Sequence, residues 1–297
     1  MQAHIPVLLE GSIDLLCAGN GKTFVDGTVN GGGHSDLLLK KMKPNGVLVG
    51  IDRDAELLKK VTGRFKDDKR FKPVLGNFRN MKELVRPYFE KADGIILDLG
   101  MSSAHLEGSG RGFSFKADDP LDMRYDYVPG EESALDSASD ILNNSSQDEL
   151  ADIFKRYGEE RFSWRIAKAI VRARQKAPIE KVSDLVGIIQ RTVPRMRSAR
   201  IHPATRVFQA LRIAVNDELG ALQEGLDGAW SILNDGGRIA VISYHSLEDR
   251  IVKHTFRKFH SEDPSSMILT KKPIRPSEEE REINPRSRSA KLRVIQK

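Results

Sequence analysis

Short apolar runs alternate with longer amphipathic stretches along the first hundred residues. The runs are rich in Val, Ile, Leu and Phe, which predicts buried strands over Thr23–Asp26, Val47–Asp52, Phe71–Leu75 and Gly94–Asp98. Apolar residues between them recur at helical spacing, which predicts helices over Val7–Leu16, Ser35–Met42, Asp54–Arg64 and Met81–Phe89. Because this alternation requires helical crossovers, it indicates an α/β domain with a parallel sheet.

The alternation stops after Asp98. Helical periodicity then dominates, over Gln147–Tyr157, Phe162–Lys176, Val182–Gln190 and Ala204–Trp230. The apolar run Arg238–Ser243 resumes the sheet, and two further strands are predicted over Met267–Thr270 and Lys291–Gln296. We therefore expect a discontinuous α/β domain, residues 1–108 and 214–297, interrupted after its fourth strand by an all-helical insertion, residues 109–213.

Composition and charge narrow the class of protein. Hydrophobic residues make up 39% and charged residues 30% of the 297 positions, as in globular proteins. No apolar run reaches membrane-spanning length and no secretion signal is evident, so we expect a cytoplasmic protein. Cys17 is the single cysteine, which excludes an intrachain disulfide and a cysteine zinc cluster, and no other cluster predicts a metal.

The net charge of +6 is concentrated in three basic segments, 161–176, 191–212 and 286–293. Each segment could be a solvated helix face. Three of them on one α/β protein favour a polyanionic substrate, and the helical insertion is the candidate RNA-binding part.

A glycine-rich turn joins the first strand to the next helix and predicts a cofactor site. Gly31, Gly32 and Gly33 follow the strand, and glycines let backbone N–H groups approach a ligand. Position 36 is aspartate where a dinucleotide fingerprint has glycine, and Asp26 at the strand end would repel a pyrophosphate.

Asp52 ends the second strand, where a carboxylate can accept both ribose hydroxyls. A cofactor with a cationic sulfonium suits this acidic turn better than a dinucleotide does. The arrangement therefore predicts S-adenosylmethionine.

Long ordered motifs continue along the chain. They are Asp98-Leu99-Gly100-Met101-Ser102-Ser103, Arg111-Gly112-Phe113-Ser114-Phe115, Tyr157-Gly158-Glu159-Glu160, Ala204-Thr205-Arg206-Val207-Phe208-Gln209 and Ser243-Tyr244-His245-Ser246. With these motifs the chain resembles, over nearly its whole length, the bacterial RsmH/MraW family of small-subunit (16S) rRNA cytosine-N4 methyltransferases.

The resemblance implies a class I (Rossmann-like) methyltransferase domain with a helical insertion. It also implies methyl transfer from S-adenosylmethionine to N4 of a cytidine near the decoding centre, within the small ribosomal subunit. Carried over by position, the family's cofactor contacts fall on Gly32, Gly33, His34, Asp52, Phe78, Asp98 and His105. The family usually has glycine where this chain has Asn30 and glutamine where it has His105.

Candidate catalytic residues follow strands four and five. Asp98, Ser102 and Ser103 are placed to accept a proton from N4, and Tyr244 could stack on an extruded cytosine. Each has a simpler reading as well: Asp98 as a cofactor contact, the serines as turn caps, and Tyr244 as a packed aromatic.

Two other functions are open. One is a methyltransferase acting on DNA or protein, although the segment Asp98–Met101 lacks the two prolines that DNA amino-methyltransferases carry there. The other is a non-catalytic RNA-binding assembly factor for ribosomes. The oligomeric state, monomer or dimer, is also open.

Overall fold

The computed structural model describes residues 5–16, 21–106, 109–127, 135–194 and 202–297. The chain forms two compact units. The sheet unit comprises Met1–Ser102 and Leu219–Lys297, and the helical unit comprises Ser103–Glu218. The insertion predicted at residues 109–213 falls inside the helical unit, whose ends lie a few residues further out on each side.

Seven strands form one sheet. They are β1 (Thr23–Asp26), β2 (Val47–Asp52), β3 (Phe71–Leu75), β4 (Ala92–Asp98), β5 (Leu233–Ser243), β6 (Met267–Ile268) and β7 (Lys291–Gln296). Their order is β3-β2-β1-β4-β5-β7-β6; the first five strands run parallel, and β7 pairs antiparallel with both β5 and β6. This topology confirms the predicted class I methyltransferase fold.

Strand β5 is longer than predicted. It begins at Leu233 rather than Arg238, and its pairing with β4 shifts register between Ala92 and Gly94. Asp93 lies at this irregularity and accepts hydrogen bonds from the backbone N–H groups of Lys22 and Thr23 and from the Asn234 amide. These contacts tie the beginnings of β1, β4 and β5 together.

Helices α1–α4 and α11–α13 belong to the sheet unit, except that Glu218, the first residue of α11, is the last residue of the helical unit. The helices are α1 (Leu9–Leu15), α2 (Gly33–Lys41), α3 (Ala55–Arg64), α4 (Met81–Val85), α11 (Glu218–Ile232), α12 (Ser246–Glu262) and α13 (Glu278–Ile283). Two apolar clusters cover the two faces of the sheet, one including Phe24, Leu48 and Ile96 and the other including Val25 and Ile95. The strands are therefore buried on both faces, as their continuous apolar runs predict.

The helical unit contains α5 (Ser103–Leu106), α6 (Ala138–Asn144), α7 (Gln147–Arg156), α8 (Ser163–Arg174), α9 (Val182–Thr192) and α10 (Ala204–Asn216). The prediction of one helix over Ala204–Trp230 was wrong. Asp217 has a left-handed backbone (φ 45°) and separates α10 from α11. No helix in the described ranges has both the length and the apolar composition needed to cross a membrane.

Candidate cofactor and catalytic site

Asp26, Asp52 and Asp98 end three adjacent strands of the sheet, β1, β2 and β4. Because the carboxyl ends of parallel strands meet at one edge, the sheet brings these acids to the edge where α/β proteins bind ligands. The glycine loop leads from β1 to α2 at the same edge. The site in the sheet unit is therefore built from strand tips and one loop.

The glycines of the loop are needed for its own packing. Gly32 precedes α2 with φ 76°, a conformation that other residues rarely adopt. A Cβ at Gly33 would lie 2.0 Å from Cγ of Pro6, so a side chain there would collide with the N-terminal segment. Both positions require glycine in this packing.

Asn30 holds the loop to two strand ends. Its backbone also has a positive φ (49°), which asparagine tolerates better than most residues, and the resembled family has glycine there. Its Nδ2 lies 3.3 Å from the carbonyl oxygens of Thr28, Asp98 and Gly100, and its N–H donates to Asp52 Oδ2 at 2.7 Å. Sequence reasoning did not identify Asn30 as part of the site, and its only signal was the departure from glycine.

Asp26 is buried and orients the loop. Its Oδ2 accepts a hydrogen bond from Ser35 Oγ at 2.6 Å, and its Oδ1 accepts the Thr28 N–H at 3.2 Å. Burial raises the pKa of Asp26 from 3.8 to about 6, against the opposing effects of the Ser35 hydrogen bond and of His34. The carboxyl is therefore placed to fix loop geometry beneath the site.

Asp52 is half-buried, and protein groups set its orientation. Oδ1 accepts the N–H of Asp54 at 2.9 Å, and Oδ2 accepts the N–H of Asn30. Asp54 in turn accepts the N–H groups of Glu56 and Leu57 at the start of α3. The Asp52 carboxylate is thus held at the strand tip by the backbone on both of its sides.

Asp98 is 5% exposed and lies among polar groups from three segments. Oδ1 accepts the Gly100 N–H at 3.1 Å and Oδ2 lies 3.8 Å from His34 Nδ1, while the Tyr244 phenol lies near the carboxylate. The Asp98 N–H donates to Thr28 Oγ1 at 2.6 Å. The strand tip and the carboxylate are therefore both fixed.

His34 and Tyr244 take defined roles around Asp98. His34 Nε2 lies 3.2 Å from the carbonyl oxygen of Val7, which can only accept, so Nε2 carries a proton and Nδ1 faces Asp98. Burial, followed by the nearby Asp98 carboxylate, raises the pKa of Tyr244 well above its ordinary value. The phenol therefore stays protonated beside the Asp98 carboxylate.

Two further contacts fix Tyr244. A Cβ at Gly100 would lie 2.7 Å from Cε2 of the ring, so the ring packs directly on that glycine. Glu248 Oε2 accepts the N–H groups of Tyr244 and His245. The His245 side chain accepts the Glu248 N–H and so caps the start of α12. The turn after β5 is therefore rigid where it approaches Asp98.

The remaining candidate residues lie in different places. Phe78 begins a short 3₁₀ turn after β3; it borders the loop at Gly27, and its ring packs on Gly225 of α11. Ser102 is buried shortly after Gly100, while the side chain of Ser103 lies outside the described part of the structure. His105 belongs to the helical unit, where its ring contacts those of Phe113 and Tyr125.

Comparisons with known proteins assign the chain to a family. The profile of the MraW methylase family matches residues 1–297. The chain is 43% identical over 311 residues to ribosomal RNA small subunit methyltransferase H of Syntrophobacter fumaroxidans, covering 99% of this chain and 96% of that protein. It is 45% identical over 313 residues to the protein of the same name from Geobacter sulfurreducens, covering 99% of each.

A crystal structure of a putative rRNA-methylase from Clostridium thermocellum aligns with 99% of this chain and 98% of its own, at 13% identity and a TM-score of 0.47. The fold assignment therefore rests on the strand order of this chain, and the family assignment on the profile and the sequence relatives. The predicted resemblance is confirmed, and the chain belongs to the MraW methylase family.

Proposed function

We propose that this protein transfers a methyl group from S-adenosylmethionine to N4 of a cytidine near the decoding centre of 16S rRNA, in the small ribosomal subunit. Membership of the family makes the chain an S-adenosylmethionine-dependent rRNA methyltransferase. The target atom, the target region and the subunit as substrate are the proposal. Such a substrate would place the reaction in the cytoplasm.

The residues at the sheet edge fit this cofactor. When bound, S-adenosylmethionine supplies an electrophilic methyl group on a cationic sulfonium. Asp26, Asp52 and Asp98 together make the edge acidic, which favours a cation and disfavours a pyrophosphate. We assign Asp52 to the ribose hydroxyls and the loop of Gly32, Gly33 and His34 to the amino-acid end. Phe78, which borders the loop, is assigned to the adenine.

The observation that carries the proposal is the fixed carboxylate of Asp98. The exocyclic N4 of cytosine is a weak nucleophile because its lone pair is delocalised into the ring. A carboxylate that accepts a hydrogen bond from N4 localises this lone pair, and Asp98 is already oriented by the Gly100 N–H. Because the protein holds the acceptor in place before the substrate arrives, little reorganisation is needed during transfer.

Tyr244 is proposed as a positioning residue for Asp98. Its protonated phenol lies beside the carboxylate, so its removal should disturb the reaction less than removal of Asp98. Ser102, buried beyond Gly100, is a second candidate to contact N4, and Ser103 is a third. His105 has no assignment of its own beyond the family's expected cofactor contact.

Methyl transfer to purified small ribosomal subunits tests the proposal. Subunits lacking the modification are incubated with the protein and isotope-labelled S-adenosylmethionine, and the labelled nucleoside is then identified by mass spectrometry. We expect N4-methylcytidine at one position in 16S rRNA. Label on another nucleoside or on a ribosomal protein would overturn the target assignment, and binding of subunits without transfer would favour the assembly-factor alternative.

A further inference from the structure

The helical unit has a cationic groove between α8 and α9. It has a volume of about 650 Å³. The residues that line it are Arg165, Lys168, Ala169, Arg172, Ala173, Lys176, Ile188, Arg191 and Thr192. Five of these nine are cations and none is acidic. The five cations in this groove are exposed, while its floor is formed by small and apolar residues.

Many other cations of the basic segments already have partners. Arg212 pairs with Glu218, Lys291 and Arg293 pair with Asp249, and Arg174 donates to the carbonyl oxygen of Leu142. By contrast, within the described residues the five cations of the groove make no hydrogen bond or ion pair. Arg165 lies 5.8 Å from the centre of the Phe162 ring, and this contact uses none of the N–H donors of its guanidinium group. The charge of the groove is therefore available to a ligand.

The spacing of the groove cations suits a chain of phosphates. Arg165, Lys168, Arg172 and Lys176 follow one another three or four positions apart, so they lie on one face of α8 and its C-terminal extension. Neighbours at this spacing are separated by about 5–6 Å. Like charges so close together repel unless a polyanion neutralises them.

An exposed aromatic residue lies beside this row of cations. Trp164 is 53% exposed, and Lys168 and Arg172 follow it at intervals of four residues on the next two turns of α8. A single-stranded nucleic acid is bound by a cationic groove with an aromatic platform, because its unstacked bases can stack on the ring. In a duplex the bases are already stacked.

We propose that the groove between α8 and α9 binds a single-stranded segment of RNA, with Trp164 stacking on one base and the groove cations contacting its phosphates. The inference rests on the proposed function for the identity of the polyanion. It adds an RNA contact that is separate from the acids of the sheet edge. The groove would position RNA without reading its sequence, because phosphate contacts carry no sequence information.

Binding of an unstructured oligocytidylate to the full-length protein, measured at several salt concentrations, tests the groove. The test variant carries Arg165→Gln, Lys168→Gln and Arg172→Gln. The control variant carries Lys116→Gln, Lys155→Gln and Arg156→Gln, three exposed cations of the same unit outside the groove. We expect the slope of log affinity against log salt to flatten by about 2 in the test variant, since each single-strand phosphate contact contributes about 0.7.

Trp164 is tested separately. Trp164→Ala should weaken binding of the oligonucleotide by about 5- to 150-fold through loss of stacking. The oligonucleotide should also quench tryptophan fluorescence in the wild type and not in Trp164→Phe. The other tryptophan, Trp230, serves as an internal control because it stacks on Phe259 at 4.6 Å.

Three results would overturn the proposal. The first is a salt slope in the test variant equal to that of the control variant, and the second is an unchanged affinity in Trp164→Ala. The third is loss of subunit binding in the test variant with oligonucleotide binding intact, which would indicate an acidic protein surface as the ligand. Failure of the wild type to methylate subunits would instead count against the proposed function, because the oligonucleotide assay does not depend on methyl transfer.

Discussion

The two units use charge in opposite ways. In the sheet unit Asp26 and Asp98 are buried, and backbone N–H groups or hydroxyls bind each carboxyl. In the helical unit the cations of the groove are exposed and make no hydrogen bond or ion pair within the described residues. A buried charge is held in one place, whereas an exposed charge adapts to its ligand. The buried acids of the sheet unit are therefore suited to precise chemistry. The exposed cations of the helical unit are suited to a less specific attraction of a polyanion.

Asp98→Asn should have the largest effect. If the carboxylate accepts a hydrogen bond from N4, single-turnover methylation should slow by about 10²–10⁴-fold, the usual contribution of a positioned base. Affinity for S-adenosylmethionine, measured by calorimetry, should change far less. Tyr244→Phe is the matched control, since it removes the phenol hydroxyl beside Asp98 and keeps the carboxylate.

Recovery of the rate at saturating cofactor would contradict this assignment. It would show that Asp98 serves to hold the cofactor, because a binding defect is overcome by concentration and a defect in chemistry is not. Asp98 would then join Asp52 as a binding residue, and the sheet edge would act through positioning alone.

The buried Asp26 should make stability depend on pH. Its pKa is raised from 3.8 to about 6 in the folded protein, so the folded chain binds more protons than the unfolded chain in this range. Stability contributed by this group is therefore greatest below about pH 4 and falls as the pH rises to about 6, by about 3 kcal/mol in all.

Asp26→Asn should remove this slope. The amide can still accept the Thr28 N–H and can donate to Ser35 Oγ, so loop contacts are kept. Free energies of unfolding from urea titrations at pH 4.5 and pH 7 measure the effect, with the exposed Asp67→Asn as control. An equal pH dependence in wild type and Asp26→Asn would show that Asp26 is ionised at the same pH in both states of the chain.

Asp52→Ala should weaken cofactor binding by about 1.5–3 kcal/mol, the range for hydrogen bonds to charged groups. The physical reason is loss of the proposed bonds to the ribose, together with loss of the acceptor for Asn30 N–H. Calorimetry with S-adenosylmethionine measures it, and Asp67→Ala is the matched control. Wild-type affinity in Asp52→Ala would exclude the ribose assignment.

Local sequence patterns predicted the strands of the sheet better than the helices that pack around them. Thr23–Asp26, Val47–Asp52, Phe71–Leu75 and Lys291–Gln296 were predicted to the residue, because buried strands are continuous apolar runs with sharp polar ends. Helix α12 was not predicted, although His245 and Glu248 form a capping box at its start.

The break at Asp217 could not be read from local pattern. The neighbouring Asn216 is buried, and its side chain donates to the Met123 carbonyl oxygen and accepts the Tyr125 N–H. These partners are more than ninety residues away in sequence. Asn and Asp are poor helix formers and tolerate the left-handed conformation, but they also occur inside helices, so the contacts of Asn216 with distant residues help to fix the end of α10.

The candidate site in the sheet unit also contains features that the sequence could predict and features that it could not. The acids at the strand tips were predictable, because adjacent parallel strands end at one edge. The role of Asn30 was not, since it depends on carbonyl groups from the loop and from the end of β4. The polarity of single residues is visible in a sequence, whereas the convergence of several backbone groups on one side chain requires the fold.

The smallest predicted effect is on protein stability and concerns the groove cations of the helical unit. It directly tests the contrast between these exposed cations and the buried acids of the sheet unit. Arg165→Gln, Lys168→Gln and Arg172→Gln together should not destabilise the protein, because these side chains make no hydrogen bond or ion pair within the described residues and only Arg165 contacts a ring, that of Phe162 at 5.8 Å. They should stabilise it slightly, since three like-charged pairs at helical spacing disappear, each costing about 0.2–0.5 kcal/mol. The gain should be measurable by urea unfolding at low ionic strength and should vanish in high salt, where such repulsion is screened. A loss of more than about 1 kcal/mol, beyond what exposed substitutions cause, would mean that the groove cations contribute to the stability of the fold.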